Sequence, residues 1–413
     1  LKLRTSLAFF AKSFSVARCP ATQQGAVCTE PFLLRLLRNM KPDKWNIKLL
    51  PPSSSPWSPT KDPSRQIAVL MSGGVDSSIA AHLLKEDGWA VLAITMKIPI
   101  SPGSSSPACC GADAPSVCNQ LSIPHYFVDV TEPFEQLIIK QFHQSYENGQ
   151  TPNPCVDCNT SLKFSILWDF VQKKFGIDRL ATGHYAKVSK TNNHTRLGRA
   201  KDKAKDQSYF LYGIAGERLA GLILPLGELT KNQVRSIAAQ LNLSAADKPE
   251  SMELCFAGHG DYRAALSAPE ANRGGDITDM QGNKIGTHKG ITNYTLGQRR
   301  GVGFAGGKPL YVGKINAQTN TIALGTRDEV SFHTIRADRI NVLVPEELIK
   351  DKLLFGKIRS YGDLSACRVI DADEGEMTVK FDEPQFAPCP GQKLVLYNTD
   401  DYIVAGGTIT SSC

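Results

Sequence analysis

No stretch of the 413-residue chain holds eighteen apolar residues in succession, the length that a membrane-spanning helix needs, so nothing in it supports a span or a membrane partner. Excess charge is also scarce where it would matter. The formal +7 invites a polyanion, yet residues 1–65 hold eleven Lys and Arg against three acids, leaving 36 basic and 37 acidic residues for the remainder. Any RNA-binding face must then be a local patch, because the body has no global field to offer. A disulfide framework is missing too. The eleven cysteines are odd in number, unevenly spaced and without a secretory signal, which turns attention to redox or metal chemistry.

The first residues have no acid before Glu30 and scatter Arg and Lys among apolar and hydroxyl residues. That composition resembles an organelle transit peptide, with the mitochondrion the first expectation and the plastid the second. It runs into a Pro/Ser linker, PPSSSPWSPTKDPS.

From Gln66 a different pattern begins. QIAVLM is a short β-type run, SGGVDSS a glycine and hydroxyl loop, IAAHLLKEDG a helix, and AVLAITM a second strand. A loop at a strand's carboxyl end that feeds a helix N-terminus attracts anions through backbone N–H groups and the helix dipole. The Walker lysine is absent: no Gly-Lys-Ser/Thr follows. Asp76 stands instead where a carboxylate suits Mg²⁺ bound to pyrophosphate. SGGVDSS resembles the signature loop of ATP hydrolases that cleave between the α and β phosphates to adenylate a substrate. A second strand end, in IDRLATGHYAKV, presents Thr182, Gly183, His184 and Tyr185 for the adenosine. The candidate nucleotide residues are Leu70, Met71, Ser72, Gly73, Gly74, Val75, Asp76, Ser77, Met96 and Gly183.

TPNPCVDCN is the most informative segment. Pro152 and Pro154 forbid regular structure there, so Cys155 and Cys158 lie on a rigid loop before the helix-like SLKFSILWDFVQKKFG, where a helix N-terminus would favour the thiolate. Cys255, in ESMELCFAG, is the third thiol of interest. Cys109 and Cys110, in a Pro/Ser/Gly-rich stretch, are taken as incidental.

SGGVDSS, TPNPCVDCN, ATGHYA, KDQSYFL (205–211), Cys-Phe-Ala-Gly (255–258) and YTLGQRRG (294–301) occur together. On these motifs, over roughly residues 66–413, the chain resembles the tRNA-specific 2-thiouridylase family in its organellar form. The resemblance implies ATP-dependent adenylation of the C2 oxygen of wobble uridine 34 in tRNAs with Lys, Glu or Gln type anticodons, followed by displacement of AMP by sulfur. It implies Cys158 as nucleophile and Cys255 as persulfide carrier, with a cysteine desulfurase or relay protein as sulfur donor. It further implies RNA contacts at Asn153, Pro154, Cys155, Lys205, Asp206, Gln207, Gln298, Arg299 and Arg359, with Tyr294 for stacking. Two thiols suffice for such chemistry, one carrying sulfur and one releasing it by forming a disulfide.

The chain departs from the family at Cys155, where many members have Asp. Two routes stay open: direct persulfide transfer, or a 4Fe-4S cluster on Cys155, Cys158 and Cys255 with one iron left to hold hydrosulfide. Ser360 also stands where the family usually has an aromatic beside Arg359.

The expected architecture is α/β: a doubly wound, mostly parallel sheet resembling the adenine nucleotide α hydrolases (66–262), after a leader and linker (1–65). A small central domain (263–328) and an antiparallel β-barrel that binds tRNA (329–413) follow, the barrel being read from short alternating runs such as EMTVKFD and QKLVLYN. The rival readings are an amide-forming ligase of the same ATP superfamily and a non-catalytic tRNA-binding factor.

Overall fold

The computed structural model describes residues 41–99, 111–191, 194–244, 254–256, 273–303, 307–373 and 375–413. The leader as far as residue 40, and Cys109 and Cys110, lie outside them. The strands of the first module are β1 (Lys48–Pro52), β2 (Gln66–Leu70), β3 (Ala90–Lys97), β4 (His125–Asp129), β5 (Leu180–Thr182), the hairpin β6 (Ala186–Thr191) and β7 (His194–Arg199), and β8 (Leu222–Ile223). Six of them form one sheet in the order β1-β4-β3-β2-β5-β8, parallel except for β1.

The apolar runs of β2 and β3 are continuous because both of their faces are covered. Ile67, Val69, Val91 and Ala93 enter one core together with α1 (Val75–Glu86), α2 (Ala114–Gln120) and residues of α5 (Lys231–Gln240). Ala68, Leu92 and Ile94 enter the opposite core. That second core is closed by α3 (Thr131–Phe134, a π-helical Glu135–Ile139, then Lys140–Glu147) and α4 (Pro154–Asp157, a π-helical Cys158–Leu167, then Trp168–Phe175). Each fully buried aliphatic side chain here contributes about 1.5–3 kcal/mol. The chain leaves β2 toward β3 on one side and returns on the other at β5, so the loops after β2 and β5 meet at the switch point where doubly wound sheets bind ligands.

The structure differs from the sequence reading at residues 48–52. The segment expected as linker supplies the antiparallel edge strand β1, with Leu49 opposite Val128 and Pro52 opposite Tyr126. Its prolines hid it, and an edge is where a sheet tolerates residues without an N–H.

The central module is a four-stranded sheet, β10-β9-β12-β11, from β9 (Gly275–Asp279), β10 (Lys284–His288), β11 (Tyr311–Asn316) and β12 (Thr321–Gly325), with β9 and β12 parallel. The last module is a closed antiparallel barrel, β13-β16-β15-β14-β17-β18, of β13 (Ser331–Val342), β14 (Leu353–Lys357), β15 (Ser365–Asp373), β16 (Glu376–Phe386), β17 (Lys393–Tyr397) and β18 (Ile403–Ser412). Its inward residues, among them Ile335, Leu354, Phe381 and Leu394, form a core of their own. Val395, Tyr397 and Ile403 face the other way and join the α3/α4 core of the first module.

Candidate active site

The loop after β2 leads directly into α1. Gly74 caps α1 without any side-chain hydrogen bond, so the first-turn N–H groups are not satisfied by a cap, the arrangement that accepts phosphate. The loop's hydroxyls brace it from within: Ser77 Oγ donates to the Gly74 carbonyl at 3.1 Å, Ser78 Oγ donates to the same carbonyl at 2.9 Å, and Ser72 N–H donates to Ser77 Oγ at 3.2 Å. Ser78 is fully buried, so its part is to hold the turn. Met71 is fixed by its N–H to the Ile94 carbonyl at 2.8 Å and by Thr95 Oγ1 donating to its own carbonyl at 2.9 Å. Leu70 and Met96 are half-buried against the α3/α4 core.

The loop after β5 crosses α1 so closely that a Cβ on Gly183 would lie 2.6 Å from the backbone carbon of Asp76 and the nitrogen of Ser77. No larger residue fits without moving one of the two loops. Beyond it, Tyr185 Oη donates to Asp76 Oδ1 at 2.8 Å. The other partner of Asp76 went unnoticed in the sequence: Lys231, the first residue of α5 and 6% exposed, donates to both carboxylate oxygens at 2.7 and 2.8 Å. Asp76, expected to hold Mg²⁺, is thus engaged through both oxygens by Lys231, with further lone pairs on the carboxylate remaining. Lys231 gave little signal because its partner lies 155 residues away; its position is fixed by a capping box between Thr230 and Gln233 that starts α5.

His184 is half-buried, and its Nδ1 lies 2.7 Å from Thr182 Oγ1. Burial, aided by the charge of Lys163, pulls its pKa down to about 3, so it is a neutral imidazole.

The cysteine loop opens α4. Asn153 is the N-cap, its side chain accepting from the Val156 N–H at 3.3 Å. Cys155 is exposed in the first turn, whereas Cys158, only 7% exposed, begins the π-helical segment. The expectation that the helix N-terminus favours the thiolate is reversed: burial pushes the Cys158 thiol up to about 11, against a smaller downward pull from Lys163. Cys255 packs against the same apolar core from a distant segment. Phe256 inserts between Phe134 and Phe142, with ring centroids at 5.9 and 5.3 Å, and brings half-buried Cys255 onto the core that contains Cys158. The trio expected to hold a cluster is not an assembled ligand set, because one thiol faces solvent and another is buried; among the described residues no three His, Cys, Asp or Glu side chains gather to hold a metal.

The barrel grips this loop from outside. Thr151 N–H donates to the Pro390 carbonyl at 2.8 Å, and Gln392 Nε2 donates to the carbonyls of Thr151 and Pro152, both at 3.1 Å. Gly391, at φ +94°, lets the two backbones meet; a Cβ there would stand 2.9 Å from the Thr151 carbonyl oxygen.

The residues expected on RNA divide sharply. Asp206 has a side chain only 1% exposed, ion-paired with Arg199 at 3.2 Å and accepting from Ser208, so its carboxylate is occupied within the chain. Gln207 is latched to Tyr185 through both its backbone and its amide, while Lys205 is half-buried at the rim of a basic cavity. Tyr294, expected to stack on a base, is buried in the central core beside His288. Gln298 braces its own turn by accepting from Thr295 and donating to the Arg300 carbonyl, which leaves Arg299 and Arg300 exposed. Arg359 ties down the loop before β17, donating to the carbonyls of Phe386 and Ala387. The aromatic that the sequence reading did not find at position 360 stands one residue on: Tyr361 is 84% exposed.

A mostly parallel sheet with an uncapped glycine loop at its switch point, a cysteine loop that opens a helix on the same module and a barrel clamped on that second loop define a protein of the nucleotide-binding α/β class with an appended barrel. Three family models match in series: the tRNA methyl transferase HUP domain at residues 65–259, the tRNA methyl transferase PRC-barrel domain at 266–326 and the aminomethyltransferase beta-barrel domain at 332–409. The tRNA-specific 2-thiouridylase MnmA of Rickettsia prowazekii (strain Madrid E) is 40% identical over 84% of this chain and 99% of its own length. That of Clostridium botulinum (strain Alaska E43 / Type E3) is 38% identical over 84% and 98%. Among solved structures, a 4-thiouridine synthetase in complex with RNA and ATP is similar at a TM-score of 0.33 and 16% identity, covering 50% of this chain and 46% of its own, too low a likeness to bear on function. The chain belongs to the tRNA-specific 2-thiouridylase family. Membership at this length and identity does not favour the ligase or the non-catalytic reading.

Proposed function

We propose that the protein is a tRNA-uridine 2-sulfurtransferase that uses ATP to replace the C2 oxygen of wobble uridine 34 with sulfur. The observation that carries this reading is that Cys158 and Cys255, 97 positions apart in sequence, pack on one apolar core of the domain that holds the phosphate loop. A carbonyl oxygen leaves only after activation, which adenylation supplies. The terminal sulfur of a Cys255 persulfide then bonds to C2 as AMP leaves with the C2 oxygen. Cys158, as thiolate, attacks the Cys255 sulfur, and the S–S electron pair departs to the 2-thiouridine, leaving a Cys158–Cys255 disulfide for an external thiol to reduce. The persulfide route is preferred to the cluster because the three cysteines are not gathered as ligands. Mg²⁺ would arrive with the nucleotide's phosphates. The tRNAs are those with Lys, Glu or Gln type anticodons, a cysteine desulfurase or relay protein supplies the sulfur, and the acid-poor leader supports a mitochondrial destination before a plastid one.

The test is incubation of the purified chain with ATP, a sulfide source and unmodified organellar tRNA, followed by nucleoside analysis. Formation of 2-thiouridine with release of AMP is expected, and wild-type protein that releases no AMP would overturn the proposal.

A further inference from the structure

The phosphate loop has no cation of its own: residues 70–78 contain neither Lys nor Arg. A triphosphate resting there needs positive charge from elsewhere. Beside the loop opens a cavity of about 590 Å³ whose walls include Lys201, Lys203, Lys205, Lys231, Arg235 and a single acid, Asp202. Two structural devices build it. Asp202 accepts from the Lys231 backbone N–H at 2.9 Å and from Lys205 N–H through its own carbonyl at 3.1 Å, which folds the 201–205 turn against the start of α5. Lys203 is drawn to Asp401 at 2.6 Å, and Lys231 to Asp76 at 2.7 Å. Lys231 therefore belongs to both places, lining the cavity while touching the first turn of α1.

We infer that this cavity binds the β- and γ-phosphates of ATP and retains the pyrophosphate formed on adenylation. The inference rests on the adenylation reading above. The uridine O2 bonds to the α-phosphorus, the bond from that phosphorus to the bridging oxygen breaks, pyrophosphate leaves with the electron pair, and the N3 proton goes to solvent. Five cations around one concavity suit a compact ligand of high charge density. An RNA backbone carries one charge per phosphate along its length and is matched by a strip of cations. The volume also lies in the usual range for small-molecule sites.

Lys201 and Arg235 are exposed, so a Lys201→Gln/Arg235→Gln double variant of the full chain leaves the fold intact, with Arg235→Lys as the charge-preserving control. Calorimetric titration with pyrophosphate, ATP, AMP and tRNA separates the possibilities. In the double variant, pyrophosphate and ATP are expected to bind at least about tenfold more weakly, with AMP unchanged and Arg235→Lys close to wild type. Unchanged pyrophosphate and ATP affinity would overturn the inference, as would a loss confined to tRNA, which would assign the cavity to the RNA backbone. Wild-type protein that binds pyrophosphate, loses it in the double variant and yet binds neither ATP nor AMP would sink the adenylation reading while leaving the polyanion site in place.

Discussion

Lys393, on barrel strand β17 and 4% exposed, donates through Nζ to Asp157 Oδ1 at 2.8 Å, so a buried cation of the last module holds the residue that precedes Cys158 in the first. Its other partner is Thr408 Oγ1 at 3.1 Å. Removing the carboxylate strands a buried ammonium, whereas removing the ammonium leaves a carboxylate that water still reaches. Asp157→Ala is expected to destabilise the chain by about 3 kcal/mol and Lys393→Met by clearly less, as read from urea unfolding; equal losses would contradict the asymmetry.

The Cys158 thiol, raised by burial to about 11, is protonated at neutral pH. Its alkylation by iodoacetamide in the tRNA-free protein should therefore keep rising with pH through 9 and beyond, with exposed Cys155 and Cys413 as accessible reference thiols in the same samples. A Cys158 rate that levelled off near pH 7 in mapped digests would show a thiolate already formed before substrate arrives.

Tyr361 offers an exposed ring two residues from Arg359. Stacking on an unpaired base contributes about 1–3 kcal/mol, so Tyr361→Ala should weaken tRNA binding by roughly tenfold or more and Tyr361→Phe hardly at all. Equal affinities for wild type and Tyr361→Ala in filter binding would remove this ring from the RNA face.

Burial lowers the pKa of His125 to about 4 and that of His184 to about 3, both from 6.5. Each is neutral in the fold, while the unfolded chain takes up a proton below 6.5. The stability they contribute is thus complete above 6.5 and is lost as pH falls toward their folded values. Urea midpoints measured from pH 7 to 5 should fall, and a His125→Gln variant should show a shallower decline; a flat wild-type profile would refute the assignment.

Much of this was legible locally. A β-strand, a glycine turn and a helix are set by residues within a dozen positions, so the phosphate loop and the doubly wound sheet could be read from QIAVLMSGGVDSS onward, and the barrel from its alternating runs. The edge strand at 48–52 could not, because its prolines spoke for a linker and only the unpaired flank of β4 makes a strand of it.

What the sequence by itself determined is chemical type and local form: which residues could bind phosphate, which thiols could carry sulfur, and where strands and helices begin. What only the tertiary structure decided is environment. Whether Cys158 is thiol or thiolate, which cation pairs with Asp76 inside the chain, and whether Tyr294 or Tyr361 faces solvent depend on burial and on partners many positions away. The reason is physical: charge state and exposure are set by the dielectric and the neighbours that packing creates, and those neighbours have no fixed spacing along the chain.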